Sequence, residues 1–121
     1  MRRIRTNTPT AALVTLNDPV FVEASQAFAR RVHESATSDE TRLRKLFQHT
    51  LARTPSPSER DRLIGLLESE RTHFAKFPDE AVQAATDPLG PLAENMPAEE
   101  LAAWSVVCQV VINLHEFLTR P

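Results

Sequence analysis

Glycine is nearly absent from this chain: among 121 residues it occurs only at positions 65 and 90, while proline occurs nine times and tyrosine not at all. So little glycine excludes the phosphate-cradling loops of P-loop and dinucleotide-binding proteins, and the G-x-S-x-G turn that exposes a hydrolase serine. Leucine, alanine, glutamate and arginine are plentiful instead, which favours helices over β-sandwiches. The prolines must then punctuate helices. A hydrophobic share of 41% and a charged share of 25% are those of one ordinary soluble domain, here residues 1–121, with enough apolar surface for a core. The expected fold is all-α, a single small bundle of about four main helices preceded by an irregular N-terminal segment.

Charge and apolar run length narrow the function classes. A formal net charge of −2 lacks the basic excess that supplies affinity for nucleic acid. No stretch approaches the 18 uninterrupted apolar residues of a spanning helix, so membrane insertion is not expected. Met1-Arg2-Arg3-Ile4-Arg5 runs into Thr6-Asn7-Thr8-Pro9 where a signal peptide needs its apolar region, which implies the cytoplasm if Met1 is the true start.

Caps and prolines divide the chain. Asp18 before Pro19 is an N-cap followed by the proline favoured at the first helical position; it predicts a helix to about Ser35, with Phe21, Ala24, Phe28 and Val32 on one face. Ser38-Asp39-Glu40 opens a second helix carrying the stripe Leu43, Leu46, Phe47 and Leu51 and ending near Arg53. Ser56 and Glu59 have capping-box spacing at the start of a third, whose stripe is Leu63, Leu66, Leu67, Phe74 and Phe77, with Arg60, Asp61, Glu68 and Arg71 turned outward and Pro78 ending it. Between Asp79 and Pro97 a short helix over Ala81–Ala85 precedes the turn Asp87-Pro88-Leu89-Gly90-Pro91, and this is expected to be the most mobile region. The last helix runs from Pro97 to about Thr119. Leu101, Trp104, Val107, Cys108, Val111, Leu114 and Leu118 form its stripe, which Val106, Val110, Ile112 and Phe117 broaden until little polar surface remains, so it should be the central helix.

Chemistry-bearing residues are sparse. Cys108 is the single cysteine, so neither an internal disulfide nor a four-cysteine metal site can form. Its mid-helix place among valines suits a core thiol better than a nucleophile. His33, His49, His73 and His115 include no i,i+4 pair, and they read as surface or structural histidines, His115 being the most notable beside Asn113 and Glu116. No catalytic residue, metal ligand or cofactor site is assigned, since Cys108 is not followed by the C-x-x-C-H continuation of covalent haem. The unusual stretch is Arg3 to Pro19, dense in Arg, Asn and Thr with apolar residues between. It is either a lead-in whose polar side chains satisfy turn backbone, or a ligand site in which Arg3, Arg5, Asn7 and Asn17 grip an anion through the bidentate geometry of arginine.

Three blocks carry a resemblance: RRIRTNTPTAALVTLNDPVFVEA at residues 2–24, ARTPSPSE at 52–59 and AAWSVVCQVVINLHEFLTR at 102–120. Together they resemble the C-terminal part of the planctomycete-type domain of unknown function 1553. The resemblance spans nearly the whole chain except about Thr72 to Pro97, and departs from it at Thr10-Ala11, where members are expected to read Leu-Gln. It implies a place at the end of a larger multidomain protein, with a cytochrome c domain upstream and a periplasmic or cell-surface setting. It carries no reaction.

Two functions follow from different classes. In the first, the chain is a packing or protein-interaction module for upstream domains of a longer parent, with self-association through its N-terminal segment or last helix. In the second, Arg3, Arg5, Asn7 and Asn17 help complete an enzyme site on a polysaccharide or other anionic ligand. With no catalytic motif present, the chain is not expected to be an enzyme by itself.

Overall fold

The signals that start the first three helices act where the sequence places them. In the computed structural model, which describes residues 18–119, Asp18 accepts from the backbone N–H of Val20 at 2.8 Å and Pro19 opens α1, Pro19–Ser35. Ser38 accepts from Thr41 N–H at 3.2 Å to start α2, Asp39–Leu51, which ends on Ala52 in the left-handed region at φ 58°. At α3, Pro57–Lys76, both arms of the capping box form: Ser56 Oγ accepts from Glu59 N–H at 3.2 Å and Glu59 Oε1 from Ser56 N–H at 2.8 Å. Two of the helix's unsatisfied donors are thereby met at once.

A single residue, Phe77, separates α3 from α4, Pro78–Thr86, because Pro78 has no N–H to continue one helix yet fits the first turn of the next. Phe77 is consequently 47% exposed rather than part of the buried stripe. The short helix expected over Ala81–Ala85 is thus longer by three residues at its start and one at its end. α5, Ala98–Thr119, begins one residue after Pro97, whose carbonyl accepts from Leu101 N–H. The described residues are all-α: four long helices and one of nine residues.

Helix α5 is the axis of the packing. Leu101 through Ser105 are buried without interruption, so this turn is covered on every side, and Val107, Cys108 and Val111 continue the buried face while Val110 is exposed. The covering comes mainly from α1, α3 and α4, with α2 closing the remaining flank. Leu43, Leu46 and Phe47 of α2 and Leu63, Leu67 and Phe74 of α3 join Leu101 and Trp104 in one buried apolar cluster. Each such side chain contributes about 1.5–3 kcal/mol on full burial. Ser105, mid-helix and buried, keeps its hydroxyl satisfied by donating to Leu101 O at 2.8 Å.

Helix α1 presents a different face from the one its large apolar residues mark. Ser25, Gln26, Ala29 and Val32 are buried, whereas Ala24 is exposed and Phe21 and Phe28 are only partly covered. Small residues on the inner face let a helix approach its neighbour closely. Gln26 is admitted to the interior because its amide has partners there.

Candidate functional site

Polar side chains of this bundle fall into three groups, distinguished by what their donors meet. The first is centred on Arg71 of α3. Its Nη1 and Nη2 donate to the two oxygens of Asp39 at 2.8 and 2.9 Å, its Nε and Nη2 to the two oxygens of Glu100 at 2.6 and 2.8 Å, and its Nη1 to Glu68 at 3.2 Å. A guanidinium has five N–H donors, and all five are engaged. Asp39 opens α2 and Glu100 lies in the first turn of α5, where the helix dipole favours a carboxylate; Arg71 therefore ties three helices at two of their N-termini. The hydrogen bonds from Arg71 hold the Asp39 carboxyl below its ordinary range, and the two carboxylates push the Arg71 guanidinium further up. Arg71 does not face outward as its helical position suggests; its side chain is 21% exposed.

Arg42 extends this group. Its Nε donates to Ala36 O at 3.0 Å and His33 O at 3.3 Å, closing the turn between α1 and α2. Partial burial, reinforced by the nearby Arg42 charge, lowers the His33 pKa.

The second group holds the connection from α4 to α5. Both N–H bonds of the Gln26 amide are used, toward Ala84 O at 2.7 Å and Asp87 O at 2.8 Å, and its Oε1 accepts from Leu89 N–H at 3.1 Å. One turn along α1, Arg30 donates to Pro91 O at 3.2 Å, Ala85 O at 3.1 Å and Gly90 O. Ala84 and Ala85 are among the last carbonyls of α4, which have no partner within their own helix. The segment from Asp79 to Pro97, expected to be the most mobile, consists of a helix and a loop whose backbone is hydrogen-bonded by two side chains of α1. Gly90 has φ 125°, a conformation that L side chains rarely adopt, so glycine is required at this turn.

The third group is a cleft between α1 and α2 of about 290 Å³, lined by Phe28, Arg31, Val32 and Ser35 from one helix and Lys45 and His49 from the other. The Arg31 guanidinium lies 4.8 Å from the centre of the Phe28 ring, within cation–π range. Lys45 Nζ donates to Ser35 O, at the C-terminal end of α1, at 2.8 Å.

Arg3, Arg5, Asn7 and Asn17 lie outside the described residues, as does the side chain of His115. Among described residues no three His, Cys, Asp or Glu side chains come together as metal ligands. His49 is on the cleft rim, while His73 pairs with Glu80 at 2.9 Å and packs against the rings of Phe74 and Phe77. Cys108 is fully buried, and that burial pushes its thiol well above the ordinary range, opposite to the activation a nucleophile needs. Among the described residues four buried polar atoms have no hydrogen-bond partner: Arg30 Nε, Thr50 Oγ1, Trp104 Nε1 and Asn113 Oδ1.

Sequence reasoning missed Gln26, Arg30 and the cleft. The only sequence signal was the i,i+4 spacing of Gln26 and Arg30 beside Ala29 and Val32, which places two long polar side chains on an otherwise buried face.

No helix among the described residues is long and apolar enough to cross a membrane. Comparison with curated proteins and with solved structures finds no match to this chain. A family model described as PSD1, a protein of unknown function (DUF1553), matches residues 1–67, which takes in α1, α2 and the first half of α3 and leaves the third resembling block, 102–120, beyond it. That match covers more than half of the sequence, and the chain belongs to the DUF1553 family.

Proposed function

We propose that this chain is a packing or protein-interaction module and carries no reaction of its own. The observation that supports this reading most is a shallow depression of about 450 Å³ on the outer side of α4 and its following loop, lined by Val82, Thr86, Gly90, Pro91 and Leu92. Val82 is 51% exposed there. The backbone beneath is fixed by Gln26 and Arg30, so a partner covering these side chains gains apolar burial without having to order the loop first. The resemblance described above supplies the finer reading: the partners are domains upstream in a longer polypeptide, a cytochrome c domain among them, and a second copy of the chain is the substitute partner when they are missing.

Light scattering over a concentration series, on the chain and on Val82→Asp, tests this. Weak self-association that Val82→Asp diminishes, with helical circular dichroism unchanged, is the expected result. A chain that remains monomeric at high concentration and is indifferent to Val82→Asp would overturn the reading.

A further inference from the structure

The cleft between α1 and α2 brings two cations without ion-pair partners among the described residues together beside apolar and aromatic side chains. None of its six lining residues is acidic. Arg31 and Lys45 take part in no ion pair among the described residues, in contrast to Arg42, Arg53, Arg60 and Arg71. Lys45 spends one of its three N–H donors on Ser35 O, which neutralises the partial negative charge at the end of α1, and two donors remain. The Arg31 guanidinium makes no hydrogen bond among the described residues, and the Phe28 ring beneath it limits where it can go. Val32 is buried and Phe28 partly buried, giving the cleft an apolar floor.

We infer that this cleft binds a small organic anion with an apolar body: a carboxylate or sulfonate held by Arg31 and Lys45, its hydrocarbon part lying on Phe28 and Val32 with His49 at the rim. Both halves of the ligand are needed. The floor offers nothing to a bare inorganic anion, and a neutral molecule of the same shape leaves two cations unmatched. A volume of about 290 Å³ sits at the small end of ligand pockets, which run from about 300 to 1,000 Å³, and suits a ligand the size of a substituted bicyclic ring. This site is separate from the apolar face on α4.

The test is an NMR titration of the intact chain with naphthalenesulfonate, its neutral counterpart naphthalenesulfonamide, and inorganic sulfate. We expect saturable shifts confined to α1 and α2 with the sulfonate, and binding at least about tenfold weaker with the other two. Arg31→Met and Lys45→Met should each weaken sulfonate binding about fivefold or more, the loss of one charge-assisted hydrogen bond, with helical content unchanged. Arg62→Met, on the exposed surface of α3, should leave it as it was. Equal affinity for the sulfonamide, unaltered binding by both cleft variants, or shifts centred on α4 would each overturn the inference.

Discussion

Arg71 and Arg31 are used in opposite ways by the same bundle. Arg71 has all five donors met by three carboxylates drawn from three helices, whereas Arg31 lies over an aromatic ring and makes no ion pair among the described residues. The difference separates structure from availability. A guanidinium that is saturated and mostly covered fixes helices relative to one another, and its removal leaves carboxylates desolvated and unpaired. One that is unsaturated and beside an apolar floor can be deleted without penalty to the fold and is free to meet a ligand. The Gln26–Arg30 clamp belongs with Arg71, but achieves its fastening with neutral carbonyl acceptors.

The apolar core sets the scale for both. Trp104→Ala removes the largest fully buried side chain and should cost about 3–5 kcal/mol in denaturant unfolding; a cost below that of either polar variant that follows would mean the bundle is held mainly by its clasps. Arg71→Met comes next, at about 2–3 kcal/mol, below the loss for a fully buried broken pair because Arg71, Asp39 and Glu100 retain some solvent contact. Gln26→Leu fits the cavity but strands two carbonyls and one N–H; with some of them reaching water, it should cost about 2 kcal/mol, and hydrogen exchange at Leu89 should speed up.

These expectations also mark how far the sequence could be read. The helix starts were legible because caps are local: Asp18-Pro19, Ser38 and the Ser56–Glu59 box each satisfy backbone donors within three residues. The burial of α5 was legible because its middle has almost no polar face. What escaped were placements decided by distant partners. Gln26 is buried because carbonyls some 60 residues later need its amide, and Arg71 points inward because Asp39 and Glu100 arrive from two other helices. Periodicity puts Phe77 on the stripe of α3, but Pro78 turns the chain just there and leaves the ring exposed. The candidate site of Arg3, Arg5, Asn7 and Asn17 falls outside the described residues, so the cleft is a separate finding.

Acid should distinguish the two kinds of fastening. Asp39 has its folded-state pKa lowered, and Glu59, bound by Arg53 and the Ser56 N–H, has its pKa lowered to about 2 from 4.5. For such groups the folded state binds fewer protons, so their contribution is present above the unfolded pKa and is lost as pH falls through the folded one. Melting temperature should therefore decline from about pH 4.5 down toward pH 2. His33, also lowered, acts in the same direction at higher pH: the unfolded chain takes its proton first, so stability falls modestly as pH drops below 6.5. Arg71→Met should flatten the acid decline by removing the cause of the Asp39 shift, while Gln26→Leu should leave its shape unchanged. An unaltered decline in Arg71→Met would contradict the role given to that clasp.

The most direct measurement is a paired one: the unfolding free energies of Arg71→Met and Arg31→Met, taken side by side in denaturant at neutral pH. If saturation of the donors is what separates a structural arginine from an available one, Arg71→Met loses about 2–3 kcal/mol while Arg31→Met changes by no more than about 0.5 kcal/mol, as for an ordinary surface substitution. Losses of equal size in the two variants would contradict that distinction.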